Sequence, residues 1–389
     1  MPGTGRTYYI AGAGIAGMTL ALALAKFGAT VVILERSLTI SEFGAGLQIS
    51  PNARKILDNL GLDQALSARS LEPDGIDIYP HRGSAPLVTL ELGAVMQQRF
   101  GAPYAVMHRA DLADALYKAC RRFANIDIVF GVRNWDVVSH ARGVTVSIDE
   151  ANGQTRTGRG HAFIGADGVH SRTRTDIIGG PPARYTNSAA WRTLLQAPAV
   201  KDKLPLDRVS VFLARDFHAV TYPLPHRGQV NLALFAPQRN PSDKGESPAL
   251  PQSITRWPLL SSIIETASDW TSWPLYTVAA PSWHRGNIGL LGDAAHAMVP
   301  FQAQGAAMAI EDAAVLAPLL IAESHAETAF EKYHESRHRR TARTAGLSAA
   351  NGRIFHLPWP LSTARNTVIA LQGSRGHLRR LAWLYGYEP

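Results

Sequence analysis

Three places in this chain combine residue types and spacings that do chemistry. Gly12, Gly14 and Gly17 form the run GAGIAG between an apolar stretch, TYYIAG, and an apolar helix pattern, MTLALALAKFG, closed by Gly28. In such a run the first glycine permits a tight turn and the second lets backbone approach a pyrophosphate. The third allows close helix–strand packing, and the helix N-terminus faces the phosphates. Glu35 ends the next apolar stretch, ATVVILE, where a carboxylate accepts hydrogen bonds from an adenosine ribose and repels a 2′-phosphate. This predicts dinucleotide binding. The second place is GDAAHAMVPFQAQGAAMAIEDA, residues 292–313. Asp293 follows the apolar run NIGLL and offers a fixed acceptor for ribityl hydroxyls. Pro300 keeps the connecting loop from helical geometry, and a helix start at Gly305 and Ala306 offers N–H groups to the pyrimidine edge of a flavin ring. The alanine-rich helix is expected to end in Glu311 and Asp312. One segment that grips both ribityl chain and ring points to FAD rather than NAD. The third place is DFHAVTY, where His218 and Tyr222 stand four apart and share one side of a strand. A histidine is matched to taking a proton near neutral pH, and a tyrosine can hydrogen-bond a phenolate.

The elements that must position these residues alternate in type. Residues 7–36 read strand–helix–strand, a βαβ unit. RADLADALYKACRRF, residues 109–123, is a second helix, and HAFIGADGVHSRTR, residues 161–174, a buried strand running into a loop. From about Ala189 to Thr277 the pattern changes to short β-branched strands, RVSVFLA, HAVTYPL and QVNLALFA, separated by PHRG and PQRNPSDKGESP. Those are antiparallel hairpin signals. GNIGLLGD then returns to the buried-strand pattern. The expected fold is α/β: a Rossmann-type FAD-binding domain (1–75, 102–185 and 281–330) interrupted by an antiparallel-sheet substrate domain (76–101 and 186–280), with a helical C-terminal segment (331–389).

Composition bounds the function. At 389 residues, 46% hydrophobic and 18% charged, this is an ordinary globular enzyme rather than a disordered chain. The single cysteine, Cys120, excludes a disulfide framework and a cysteine-based metal site, and fits a reducing cytosol. No metal is expected. The apolar stretch from Tyr8 to Ala25 carries glycines early and runs into a second strand, unlike a cleaved signal. No other segment approaches a membrane span in uninterrupted apolar residues, so a cytoplasmic protein is expected. Of the net charge of +8, most lies from Glu331 onward, where ten Lys/Arg face three Asp/Glu. That reads as a solvated helix face, with attraction of anionic ligands as the functional alternative. A nucleic-acid motif is lacking.

The motifs GAGIAG…LER, GAGLQISPNA (44–53), MHRADL (107–112), GADGVHSRTR (165–174) and GDAAHAMVPFQAQGAAMAIEDA together resemble those of the single-component flavoprotein aromatic hydroxylases. Salicylate, 3-hydroxybenzoate and 6-hydroxynicotinate hydroxylases are nearest in pattern, and the resemblance runs nearly to the terminal WLYGYEP. It implies a para-hydroxybenzoate hydroxylase-like fold. It implies that Gly12, Gly14 and Gly17 hold the pyrophosphate, Glu35 and Arg36 the adenosine end, Arg109 the FAD chain and Asp293 the ribityl. Asp167 would support both FAD and NADH or NADPH, the electron donor, which has no Rossmann domain of its own. Gln48, where the hydroxynicotinate type has histidine, would contact the flavin or substrate edge. In such enzymes a flavin hydroperoxide formed from O2 hydroxylates a phenol or hydroxypyridine, and a histidine and tyrosine spaced like His218 and Tyr222 line the substrate pocket. The implied reaction is monooxygenation of a small aromatic or N-heteroaromatic acid. One departure is Phe301, where several relatives carry a polar residue, often histidine. It favours the alternative of a flavin epoxidase or hydroxylase acting on a larger polyketide- or quinone-like substrate. A non-oxygenating flavin-binding redox module is the alternative from another class. His296, His108 and His170 are expected to be structural. The Trp383–Tyr387 aromatics are available either as a homodimer interface or for packing on the chain's own surface.

Overall fold

The computed structural model describes residues 1–40, 46–240 and 250–389. Gly44 and Ala45 of the motif at 44–53, and much of PQRNPSDKGESP, lie outside the described residues. The chain opens as its hydrophobic pattern predicts. Thr7–Ala11 and Thr30–Leu34 pair in parallel, joined by the helix Ile15–Lys26. Gly12 turns between strand and helix at φ +103, in the region that favours glycine, and a Cβ there would lie 2.5 Å from the Ala166 carbonyl oxygen. Ala162–Gly165 and Ile288–Leu290 extend this sheet on one side and Ile126–Val129 on the other. The short edge strand His284–Arg285, antiparallel to Ile288–Leu290, completes six strands. A separate antiparallel meander, Asn134–His140, Gly143–Asp149 and Thr155–Gly160, packs Val144, Val146 and Ile148 against Tyr9 and Phe163 of the six-stranded sheet.

Seven strands make the other large sheet, in the order Thr271–Thr277, Arg184–Gln196, Gln229–Pro237, His218–Leu224, Arg208–Leu213, Gly75–Tyr79, Val88–Glu91. It is antiparallel except where Arg208–Leu213 and Gly75–Tyr79 run parallel. The exception has a topological cause. Two strands from early in the chain join five from the middle, and such a junction need not be a hairpin. A two-stranded ribbon, Gly46–Ile49 with Ala105–His108, bridges toward this sheet. The Gly46 amide donates to Asn231 Oδ1 at 2.8 Å.

The helix Gly305–Ala322 begins where expected, at Gly305, but does not end at Glu311 and Asp312. Both acids lie in its middle, fully buried. The helix packs on Ile15–Lys26 and on Ala326–Phe355, and it is long and apolar enough to cross a membrane by length and composition alone. That departs from the expectation that no segment comes near a span. Its apolarity belongs to a core helix: Arg337 from Ala326–Phe355 lies 2.6 Å from Glu311 and 2.7 Å from Asp312. Arg340 adds a second bond to Glu311 at 2.7 Å. Leu361–Tyr385 forms the last helix. The terminal aromatics pack on their own chain, the Arg343 guanidinium lying 3.8 Å from the Trp383 ring centre and that of Arg340 3.9 Å from that of Tyr387.

Candidate active site

One cleft of about 1610 Å³ runs between the two large sheets and the C-terminal helices. At one end Gly12, Gly14, Glu35 and Arg36 line it, and Arg109, Asp167, Asp293, Pro300, Gly305, Ala306 and Gln48 line its length. The helix Ile15–Lys26 starts at Gly14 and Gly305–Ala322 at Gln304, and neither start carries a side-chain cap or an acidic first turn. The Gln304 side chain is turned away, its amide donating to Ser50 Oγ at 2.9 Å. Two helix N-termini therefore present unpaired backbone N–H groups to one cavity, which suits the phosphates and the ring edge of a flavin dinucleotide. The residues present fit FAD.

The carboxylates expected at this cofactor already hold backbone. Glu35 accepts from the Ala13 amide at 2.9 Å and the Ser37 amide at 2.8 Å, fixing the glycine loop against the second strand. Asp167 accepts from Ser171 Oγ at 2.5 Å, and from the Thr173 amide and hydroxyl at 3.0 Å. A carboxylate has about four lone-pair sites, so both retain capacity for a ligand. Asp293, at the start of a single turn after Gly292, is exposed. Gln48 Oε1 accepts from the Tyr104 hydroxyl at 2.5 Å, which fixes the amide beside the cleft.

At the other end the cleft is walled by the seven-stranded sheet. His218 and Tyr222 share its cleft face, as their spacing predicts, and both are buried. His218 stacks on Phe235 with ring centres 4.7 Å apart, and Phe301 and Phe355 meet it edge-on at 4.9 and 5.2 Å. Its Nδ1 lies 3.0 Å from Nε2 of His356, the C-cap of Ala326–Phe355. Burial, with His356 adding, pushes the His218 proton affinity well below the usual imidazole range, so the ring is neutral at pH 7. Burial raises the Tyr222 phenol, with Arg192 opposing, so Tyr222 keeps its proton. The Tyr222 ring lies so close to Gly46 that a Cβ there would be 2.3 Å from Cε2.

Residues 7–348 match the family described as "FAD binding domain". The chain is 30% identical over 386 residues to 3-hydroxybenzoate 6-hydroxylase of Polaromonas naphthalenivorans, covering 97% of this chain and 95% of that protein. The chain belongs to the FAD-dependent aromatic hydroxylases. This hydroxylase is also 30% identical over 364 residues to 6-hydroxynicotinate 3-monooxygenase of Bordetella bronchiseptica, covering 88% and 90%. Its fold matches that of HpxO of Klebsiella pneumoniae, solved with FAD and uric acid, at a TM-score of 0.83 and 22% identity, covering 98% and 96%. The hydroxylase is thus a FAD-binding monooxygenase of Rossmann-type α/β architecture.

Several residues of the cleft escape sequence reasoning. Arg192 enters it from the strand Arg184–Gln196, and its buried Nε has no hydrogen-bond partner among the described residues. Burial lowers its guanidinium, Tyr222 opposes and Arg109 adds. Its one signal was a charge inside an apolar alternation, AWRTLLQ. Arg343, Arg365 and Arg380 line the cleft from the C-terminal helices, whereas its carboxylates, Glu35, Asp167 and Asp293, all belong to the proposed flavin side. The three histidines expected to be structural have these partners. His108 Nδ1 caps the helix Arg109–Cys120 by accepting from the Ala110 amide at 3.1 Å. His296 Nε2 lies 2.5 Å from Asp312 Oδ2. His170 lines the cleft and meets Tyr276 edge-on at 4.7 Å.

Proposed function

We propose that this hydroxylase uses O2 and NADH or NADPH to hydroxylate a small aromatic or N-heteroaromatic acid that binds between the flavin and the seven-stranded sheet. The observation that carries this reading is the convergence of His218, Tyr222 and Arg192 on the cleft that the glycine loop closes at its far end. Gly12, Gly14 and Gly17 hold the pyrophosphate, with Glu35 and Arg36 at the adenosine end. Arg109 and Asp167 flank the chain, Asp293 takes the ribityl, and Gly305, Ala306 and Gln48 meet the ring after Pro300. The cradle draws on 1–75, 102–185 and 281–330, and the substrate wall on 76–101 and 186–280, with 331–389 covering the pocket. Bound FAD supplies acceptance of two electrons from the nicotinamide and activation of oxygen.

The chain's own residues prepare the substrate. Neutral His218 has a ring nitrogen, Nε2, remaining to accept the ring-hydroxyl proton, since Nδ1 faces His356. Tyr222, holding its proton, donates a hydrogen bond to the phenolate oxygen. Arg192 pairs with the substrate carboxylate, whose charge offsets the cost of a buried guanidinium. Phe235, Phe301 and Phe355 keep water from the reacting ring. Two of the named relatives act on hydroxylated aromatic or pyridine acids, which supports this substrate class. Phe301 packs edge-on against His218 and Phe235, with ring centres 4.9 and 5.6 Å apart, and gives the substrate end of the cleft an apolar wall.

The test is NADH and NADPH oxidation by purified, FAD-loaded protein with 3-hydroxybenzoate, 6-hydroxynicotinate and salicylate, measured with oxygen uptake and product. Stimulated oxidation with about one product per nicotinamide establishes the coupled reaction. Firm FAD binding with no stimulation by any of the three overturns the substrate class.

A further inference from the structure

A fully buried histidine that accepts a proton must pass it on, because burial disfavours the imidazolium that results. Resting on the reading of His218 as that acceptor, we infer that His356 is its positioning residue, the two imidazoles forming a relay that carries the ring-hydroxyl proton from the cleft to the half-buried edge of the C-terminal helices. The geometry is that of a relay. His218 is 1% exposed and its Nδ1 lies 3.0 Å from His356 Nε2. Three phenyl rings, of Phe235, Phe301 and Phe355, close in on His218 and none offers a proton acceptor. His356 does not line the cleft and is only half buried, so it stands between His218 and solvent. Packing alone would not call for this contact, since an apolar side chain at 356 would fill the same space without facing one nitrogen to another.

The step balances without any further reactant. The substrate O–H bond breaks and its proton joins His218 Nε2. The Nδ1–H proton of His218 passes to His356 Nε2, and His356 releases a proton to water from Nδ1. His218 ends neutral with its proton on Nε2 and His356 neutral with its proton on Nε2, and return of both rings to their starting tautomers, by proton exchange through the same contact and water, completes the cycle. Among the described residues, His356 is the titratable group that acts on His218, after burial. Around His356, burial disfavours the cation, Asp216 favours it and Arg365 opposes it. Asp216 is itself held by Ser253 Oγ at 2.5 Å.

The experiment compares the FAD-loaded protein with His356→Phe, His356→Ala and His218→Phe, using 3-hydroxybenzoate as the probe. His356→Phe is expected to lower kcat about tenfold or more with KM nearly unchanged, and to enlarge the solvent isotope effect. Added imidazole should restore part of the rate in His356→Ala. His218→Phe should lose about 10²-fold or more. Loss in His218→Phe with a normal rate, pH profile and isotope effect in His356→Phe overturns the relay and leaves the proposed function standing. Normal rates in both variants overturn the role of His218 and the relay with it. The relay is also read without substrate, in ¹⁵N-histidine spectra of the FAD-loaded protein. His356→Phe should change the tautomer balance of His218, and an unchanged His218 signal overturns the coupling even if 3-hydroxybenzoate is not turned over.

Discussion

Arg192 is a buried-facing cation without a carboxylate to answer it, in a wall otherwise made of aliphatic and aromatic side chains. An unpaired charge there costs stability unless a ligand brings the counter-charge. Replacing it by glutamine is therefore expected to weaken binding of the aromatic acid by about 1.5–3 kcal/mol, about 10- to 150-fold in Kd. FAD content should stay near one per chain and thermal stability should not fall. Titration of flavin absorbance with the aromatic acid that best stimulates turnover reads this directly; an unchanged Kd would remove Arg192 from the substrate's carboxylate. At this scale legibility followed locality. The placement of Gly12, Gly14, Glu35 and Asp293 along one cleft was readable because a turn and the end of a strand fix them within a few residues. The shared cleft face of His218 and Tyr222 was readable because alternation along one strand puts them on one side. Arg192 and His356 were not, since each acquires meaning from partners far along the chain; His356 stands 138 positions from His218.

The helix Gly305–Ala322 shows the same limit for elements. Its start was legible from Gly305 and the preceding loop. Its length was misread because adjacent acids usually mark a solvated end, and here they are buried against arginines of the following helix. Burial alone would raise the Asp312 carboxyl, but His296 and Arg337 outweigh it and hold it down to about 2. Asn52 Nδ2 donates to Glu311 Oε1 at 2.6 Å, so the helix Pro51–Asn59 joins the same network. Three helices are thus pinned together beneath the helix start offered to the flavin. Arg337→Met removes the cation between two buried carboxylates and leaves Glu311 to Arg340 and Asn52 and Asp312 to His296. The expected cost is about 3 kcal/mol, the lower part of the range for breaking a buried pair, since each acid keeps a partner. Urea unfolding of the FAD-loaded protein measures it. A loss below about 1 kcal/mol would mean that the network registers the helices without stabilising them.

For the molecule as a whole, the division into a dinucleotide-binding half, a strand-rich half and terminal helices was legible from changes of hydrophobic period. The meander Asn134–Gly160 and the parallel junction at Gly75–Tyr79 were not, because pairing partners across the chain leave no mark in local periodicity. The final architecture buries histidines on every side. Burial, the largest cause in each case, lowers the proton affinity of His81, His108, His161, His218, His334, His356 and His377. An unfolded histidine binds a proton near pH 6.5, whereas these rings stay neutral below that in the folded chain. The unfolded state therefore takes up more protons as pH falls through about 6.5, and the folded state loses stability over that window. Asp312 acts lower down: its contribution is complete above the unfolded carboxylate pKa near 4 and is lost as pH falls toward about 2. Acid destabilisation should thus come in two stages, with the melting temperature of the FAD-loaded protein dropping by a few degrees between pH 7.5 and 5.5, before any carboxylate step. His218→Phe, which fills the same space without a titrating nitrogen, should remove that residue's share and make the upper stage shallower, the other six histidines still contributing. A melting temperature that stays level from pH 7.5 to 5.5 would show that these rings gain their protons without unfolding, and would remove buried neutral histidine as the source of acid sensitivity.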